Sequence, residues 1–328
     1  MDTFRTIVEV ESQKKTINYN SQLLFMGSCF AGNIGSYFEE TGFNAMVNPF
    51  GVLYNPFSIA KAIRQLIRNS AYQDTDLIYH NEIWQSFDHH SSFNNTDKAS
   101  CLSNINETLK TGADFLANTD YLFITFGTSW VYKLKESGEI VSNCHKIPSS
   151  HFNRELITKE SIIETYQDLF KNLLKLNPSL KIILTISPVR HWKDGAHGNQ
   201  ISKAILLLAV DELCTQFEQV DYFPAYEILL DDLRDYRFFD TDMLHPSAEA
   251  VKYIRAQFIL SWLDELAQEF ITQMESIKRN INHRPFNKHS DQHQKFIRKS
   301  ISKLEQIQKR FNKVSLSTFQ DQFNKQLL

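Results

Sequence analysis

Leu23-Leu24-Phe25-Met26-Gly27-Ser28-Cys29-Phe30-Ala31-Gly32-Asn33 is the stretch of this 328-residue chain from which the rest can be read. Four consecutive apolar residues stop at a glycine, and Ile34, Tyr37 and Phe38 then recur at helical spacing until Gly42, a residue suited to a helix C-terminal cap. A strand that runs into a helix through Gly27-Ser28-Cys29 presents two nucleophile-type side chains at the end of a sheet. Their natural partners lie far downstream in Asp242-Met243-Leu244-His245-Pro246. There a base and a carboxylate able to orient it complete the chain order nucleophile, Asp, His, one of the orders found among catalytic triads.

Moving outward, strand-like runs alternate with amphipathic helical stretches, the pattern of an α/β domain around a mostly parallel sheet. Phe43 to Val47 predicts a second strand and Ile59, Ile63, Leu66 and Ile67 a helix packed on the sheet. Tyr72 to Ser100 reads as an irregular insertion. Tyr121 to Phe126 is the clearest buried strand, and Trp130 to Leu134 with Ile140 to Val141 predicts a hairpin. Ile162 to Leu176 predicts a helix, Lys181 to Ser187 a strand, and Ile201 to Phe217 a helix with Ile201, Ile205, Leu208 and Leu213 as its apolar positions. From Pro246, suited to the first turn of a helix, one long helix is expected through Val251, Ile254, Phe258, Trp262 and Leu266.

The charge is divided along the chain. Residues 276–328 hold 12 Lys and Arg against 3 Asp and Glu, leaving 23 against 35 in the first 275. A basic helical tail, with Phe296, Leu304, Ile307 and Phe311 as its apolar positions, is therefore expected beyond an acidic body over 1–275. Such a tail has the charge to meet an anionic partner or its own acidic body. The polar start, residues 1–20, lacks the apolar core of a signal peptide, and Ile205 to Val210 is too short to cross a bilayer. A cytoplasmic protein without membrane association is expected. The cysteines Cys29, Cys101, Cys144 and Cys214 have no paired spacing, which predicts reduced thiols and neither a disulfide framework nor a zinc knuckle. No cofactor is indicated, and nothing in the sequence fixes the oligomeric state.

Gly27-Ser28-Cys29-Phe30-Ala31 spells the signature of the GSCFA family, placed in the SGNH or GDSL hydrolase superfamily. Asn48-Pro49-Phe50-Gly51-Val52-Leu53-Tyr54-Asn55-Pro56 resembles the second superfamily block, Gly127-Thr128-Ser129-Trp130 the third, and Asp242 to Pro246 the last. The resemblance spans roughly Leu23 to Leu266. It implies a three-layer, flavodoxin-like parallel sheet and a hydrolase or acyltransferase acting on esters, including O-acyl groups on a carbohydrate. It also implies catalytic roles for His245, Asp242 and one of Ser28 and Cys29.

Two departures from the superfamily pattern matter. Its first block reads Gly-Asp-Ser with serine as nucleophile; in register, Ser28 stands at the Asp and Cys29 at the Ser. Both remain candidates, and a thiol needs less activation than a hydroxyl. In the third block an oxyanion-hole Asn is usual, whereas here Thr128 and Ser129 stand in its place, leaving Gly51, Asn55 and Asn143 as further candidate donors. Asn143-Cys144-His145-Lys146 and Ser187 to Gly195 follow expected strands and so reach the carboxyl-end crevice where α/β folds bind ligands. His145, Arg190 and His191 are candidate contacts to an anionic or hydroxylated substrate, with Trp130 and Trp192 as stacking surfaces.

Two other functional classes compete. A disabled hydrolase fold would serve as a binding module, for a ligand in the crevice or an anionic partner on the tail. A metal-dependent hydrolase would use Asp88, His89 and His90 with His145 or His191, but no His-x-x-x-His or Cys-x-x-Cys spacing accompanies them.

Overall fold

The computed structural model describes residues 5–10 and 17–327. Part of the polar opening stretch read above, and the last residue of the tail, lie outside them. In chain order the first elements are β1 (Gln22–Gly27), α1 (Cys29–Glu40), β2 (Asn44–Val47), α2 (Pro56–Arg68), β3 (Ile78–His80), β4 (Ile83–Gln85) and α3 (Lys98–Ala117). Next come β5 (Tyr121–Phe126), β6 (Trp130–Leu134), β7 (Ile140–Val141), β8 (Phe152–Leu156), α4 (Lys159–Leu176), β9 (Lys181–Ile186), α5 (Gly195–Gln216) and β10 (Val220–Phe223). A single turn α6 (Ala225–Glu227) precedes α7 (Ala248–Trp262), α8 (Glu265–Ile281), α9 (Asp291–Arg310) and α10 (Ser317–Asn324).

Five strands form one parallel sheet in the order β10-β9-β5-β1-β2, so the fold is the α/β architecture expected. Successive side chains of a strand point to opposite faces, and both faces of the central strands are covered, which is why β1, β5 and β9 are mostly apolar. Leu24, Met26, Leu122, Ile124, Phe126, Ile182, Leu184 and Ile186 face one core with α2 to α5. Leu23, Phe25, Tyr121, Phe123 and Ile183 face the other with α1, α7, α8 and α9. At the centre of this second core Phe25 stacks on Phe123 across the β1–β5 pair, with ring centroids 4.2 Å apart.

Several expectations are corrected. Tyr72 to Ser100 is not irregular throughout: it holds the β3–β4 hairpin, and its end is the first turn of α3. The buried positions of α3 are Cys101, Ile105, Leu109, Gly112, Ala113 and Leu116, a stripe whose small members weaken the apolar signal. The hairpin β6–β7 gains a third strand, β8, paired antiparallel to β6.

On α5 the apolar side chains Ile201 and Leu208 are 41% and 59% exposed. The face toward the sheet begins instead with the polar residues Asn199, Ser202 and Lys203. The long helix from Pro246 is two helices. Ser247 caps α7, which ends at Trp262, and Asp264 caps α8 by accepting the Ala267 amide at 2.7 Å. The break is fixed because Ile17 lies across it, donating to Trp262 O and accepting from the Asp264 amide. Helix α8 then runs continuously through position 275, and the tail's expected apolar positions turn inward, with Leu304 and Ile307 buried on α9 and Phe311 buried just past its end.

Among the described residues no helix is long and apolar enough to cross a membrane.

Candidate active site

The carboxyl ends of β1, β5 and β9 lie side by side, and a cleft of about 610 Å³ opens over them. The first sequence block forms its floor. Gly27 has φ +128, and a Cβ there would stand 2.2 Å from Thr125 O on the neighbouring strand, so only glycine fits. The chain then enters α1 with Ser28 as its N-cap: Ser28 Oγ accepts the Phe30 amide at 3.3 Å and its own amide donates to Thr125 O. Cys29, the first residue of α1, is partly exposed and lines the cleft. Its thiol is pushed up by burial, with the amides of Phe30 and Cys29 and the charge of Lys203 acting the other way. Burial outweighs the helix N-terminus, so Cys29 rests as a thiol and needs a base.

The second block braces the first. Asn48, at φ +46, accepts the Gly27 amide on Oδ1 at 2.8 Å, and the Leu53 amide donates to Gly27 O. Tyr54 O accepts both the Gly127 and the Thr128 amides, which ties the third block to the second. Asn55 caps α2, accepting the Ser58 amide at 2.8 Å while its Nδ2 donates to Ser58 Oγ, and it lines the cleft.

The last block brings His245 to the cleft. His245 Nδ1 meets Asp242 Oδ2 at 2.6 Å, while Asp242 Oδ1 accepts the amides of Leu244 and His245. With Nδ1 donating to the carboxylate, Nε2 is left as the acceptor. The amides and the His245 side chain hold the Asp242 carboxyl down at about 2. Met243 takes φ +59 between them, which closes the turn. Asp242 thus orients His245 and does not cap α7, whose cap is Ser247. His245 lines the same cleft as Cys29, although no hydrogen bond joins the two among the described residues. Catalytic contacts are often long until substrate binds.

The remaining candidates separate into those the cleft gathers and those it does not. Asn143, Thr128, Trp130, Arg190 and His191 line it with Asn55, as do Tyr54, Tyr132, Cys144, Arg154, Trp192 and Asp194. Asn143 Oδ1 accepts the His145 amide, which leaves its Nδ2 for the cleft. Thr128 is committed on both counts, its amide to Tyr54 O and its hydroxyl to Ser202 Oγ and the Trp130 amide.

Gly51, Ser129 and His145 lie outside the cleft. The Gly51 amide donates to Asn48 O at 2.7 Å in a turn of φ +74, so it has no donor for an oxyanion. Ser129 is buried against Ser202, bonded through both its amide and hydroxyl. His145 is buried with Nε2 on Ser86 O at 2.7 Å, holding the β3–β4 region to the loop after β7, and burial lowers its pKa.

Arg190 touches the turn that carries Asp242 and His245: its guanidinium bonds Met243 O, its amide donates to Leu244 O, and Phe239 covers it at 4.5 Å. His191, packed against Tyr54, is held down at about 4 by burial and then by Lys203. Trp130 lies under the Arg154 guanidinium at 4.0 Å, and Arg154 grips Asp194 with two bonds, one of 2.6 Å. Trp192, 50% exposed, stands on the rim. The residues weighed as metal ligands part company: Asp88 pairs with Lys61 at 2.6 Å, His89 is buried in a stack on Phe50, and His90 caps a short turn.

Sequence reasoning missed Lys203. It is 1% exposed beneath the floor, and its Nζ donates to Gly127 O and Ser187 O, both at 2.7 Å. The signal was available, since a lysine falls on the α5 face that packs against the sheet once Ile201 and Leu208 are placed outside.

A crevice at the carboxyl ends of a parallel α/β sheet, with a helix-tip cysteine and an Asp-held histidine, is what this arrangement defines. The chain belongs to the GSCFA family: the family's sequence model matches residues 22–258, and that of the GSCFA domain protein, C-terminal domain, matches residues 274–328. Among curated proteins none matches. Solved structures similar at low identity include the following three. A protein from Streptococcus pneumonia, titled provisionally as a platelet activating factor, is 14% identical, with 75% of this chain and 85% of that chain covered and a TM-score of 0.36. A carbohydrate esterase family 3 protein from Talaromyces cellulolyticus is 12% identical, with 50% and 65% covered and a TM-score of 0.27. An acetyl xylan esterase from the rumen bacterium Butyrivibrio proteoclasticus is 14% identical, with 74% and 62% covered and a TM-score of 0.36.

Proposed function

We propose that this protein hydrolyses or transfers acyl groups from oxygen esters through a covalent intermediate on Cys29. The observation that carries this reading is the convergence, in one cleft, of a thiol at the tip of α1 and a histidine whose Nδ1 is held by Asp242. His245 Nε2 takes the thiol proton as Cys29 Sγ attacks the ester carbonyl. The C–O bond then breaks, and the alcohol leaves with the proton returned by His245. Water or an acceptor alcohol, deprotonated by the same histidine, attacks the thioester, and release of the acyl group restores the thiol.

Charge on the tetrahedral oxygen falls to the Cys29 amide at the helix N-terminus, to Asn143 Nδ2 and to the second hydrogen of Asn55 Nδ2. Loss of one such donor is expected to slow turnover by roughly a hundredfold or more. Ser28, already committed as the cap of α1, is the lesser candidate for attack.

The half-exposed Trp192 indole on the rim offers a face for a sugar ring, and this favours O-acyl carbohydrates as substrates. Release of acetate from acetylated oligosaccharides by wild type, and its loss in Cys29→Ala and His245→Ala, is the test. Turnover retained in Cys29→Ala would remove the thiol from the mechanism.

A separate binding role is favoured by one feature of the tail. Lys295, Arg298 and Lys299 are exposed on α9, opposite the face buried against α8. We place an anionic partner there, with affinity expected to fall steeply with salt.

A further inference from the structure

The charge on the cleft is opposite to that of the body around it. Residues 1–275 hold 35 Asp and Glu against 23 Lys and Arg. Yet the Lys, Arg, Asp and Glu side chains that line the cleft are Arg154, Arg190 and Lys193 against Asp194 alone. That carboxylate is occupied, since Arg154 bonds both of its oxygens while stacked on Trp130. Asp242 stands outside the lining, committed to His245 and two backbone amides. Among the described residues, Arg190 and Lys193 have no carboxylate at ion-pair distance; their recorded partners are a carbonyl and a phenol.

Both cations belong to the segment between β9 and α5, one on each side of the rim residue Trp192 in the chain. The Arg190 guanidinium donates to Met243 O and lies 4.5 Å from the Phe239 ring centroid and 5.3 Å from that of Trp192. Lys193 Nζ donates to Tyr132 Oη and stands 5.0 Å from its ring centroid. Aromatic faces and neutral acceptors fix the position of a cation and leave its net charge uncompensated. A guanidinium carries five N–H donors, and the Arg190 side chain uses one of them on Met243 O.

We propose that Arg190 and Lys193 form a carboxylate subsite and that the acylated saccharide is acidic. It is a uronate whose ring lies on Trp192 and whose C6 carboxylate is taken by Arg190, with the Lys193 ammonium adding to the attraction. The fork of a guanidinium matches the two oxygens of a carboxylate, as Arg154 matches Asp194 in the same cleft. The inference rests on the carbohydrate reading of the cleft given above.

The test compares binding of methyl glucuronide and methyl glucoside, which differ in carboxylate against hydroxymethyl at C6, to the full chain by ligand-observed NMR titration at low salt. The glucuronide is expected to bind roughly tenfold tighter, an advantage that salt weakens. In Arg190→Gln most of the preference should vanish, and in Lys193→Gln it should shrink roughly twofold or more. The preference is a ratio within one protein, so damage that a variant does to the turn carrying His245 weighs on both ligands alike. Equal binding of the two glycosides by wild type, no binding of the glucuronide, or a preference that survives intact in Arg190→Gln would overturn the proposal.

The outcome is separable from the esterase reading. A preference for the glucuronide, in a protein that takes no acyl group from an activated ester, upholds the subsite and sinks the enzyme alone. Acetate released with equal kcat/KM from acetylated methyl glucuronide and acetylated methyl glucoside upholds the enzyme and sinks the subsite alone.

Discussion

Cys29 and Ser28 are neighbours with different employment. Ser28→Ala removes the cap of α1 and is expected to lower stability by about 1 kcal/mol while leaving acylation in place, checked by denaturant melts beside adduct formation. Lys203 gives a pH signature as well. Burial lowers it to about 7 in the folded protein, whereas in the unfolded chain it keeps its proton to about 10.4. Between those values the unfolded state binds more protons, so this residue makes stability rise with pH above about 7. The difference in melting temperature between wild type and Lys203→Gln should therefore shift in favour of wild type from pH 7 to 8.5, and a flat difference would contradict the assignment. Asp242, held at about 2, is expected to stay ionised at any pH above about 4, so Asp242→Asn should depress the rate across that whole range, which a pH–rate profile of the variant checks. The nucleophile block and the Asp-x-x-His turn were legible because each is contiguous in sequence. Lys203 was not, because its meaning comes from Gly127 and Ser187, brought to it only by the sheet order.

Elements were legible where a single period dominates. β1 and β5 are continuous apolar runs because both faces are covered, and they read correctly. Helix α5 misled because its outward face carries Ile201 and Leu208 while its inward face opens with Asn199, Ser202 and Lys203. Truncation of Leu208 to alanine should accordingly change stability by less than about 0.5 kcal/mol, against about 2–5 kcal/mol for Leu206→Ala in the core, a contrast that denaturant titration resolves. The α7–α8 break was hidden because Val251 to Leu266 keeps its helical period across it. What interrupts the helix is Ile17, almost 250 residues away in sequence.

At the scale of the molecule, the parallel sheet could be read from the alternation of runs, but the attachment of the tail could not. Phe311 meets Tyr19 and Phe270 with ring centroids 5.0 and 4.9 Å away, and Leu316 closes over Gly42. These contacts join segments remote in sequence and leave no local pattern. Charge composition isolates residues 276–328 as a basic unit, yet its apolar face belongs to the same core as α1 and α8. Cutting the chain after 275 is therefore expected to expose Phe270 and Met274, lower the melting temperature and promote aggregation. A truncated body that melts as the full chain does would show the tail to be an independent appendage.

The central claim, an acyl group carried on the thiol at the tip of α1, is tested most directly by intact-mass labelling with an activated ester in wild type, Ser28→Ala, Cys29→Ala and His245→Ala. An adduct is expected in wild type and Ser28→Ala, lost in Cys29→Ala and reduced at least a hundredfold in rate in His245→Ala. An adduct that persists in Cys29→Ala and disappears in Ser28→Ala, or none in any folded variant, would contradict it.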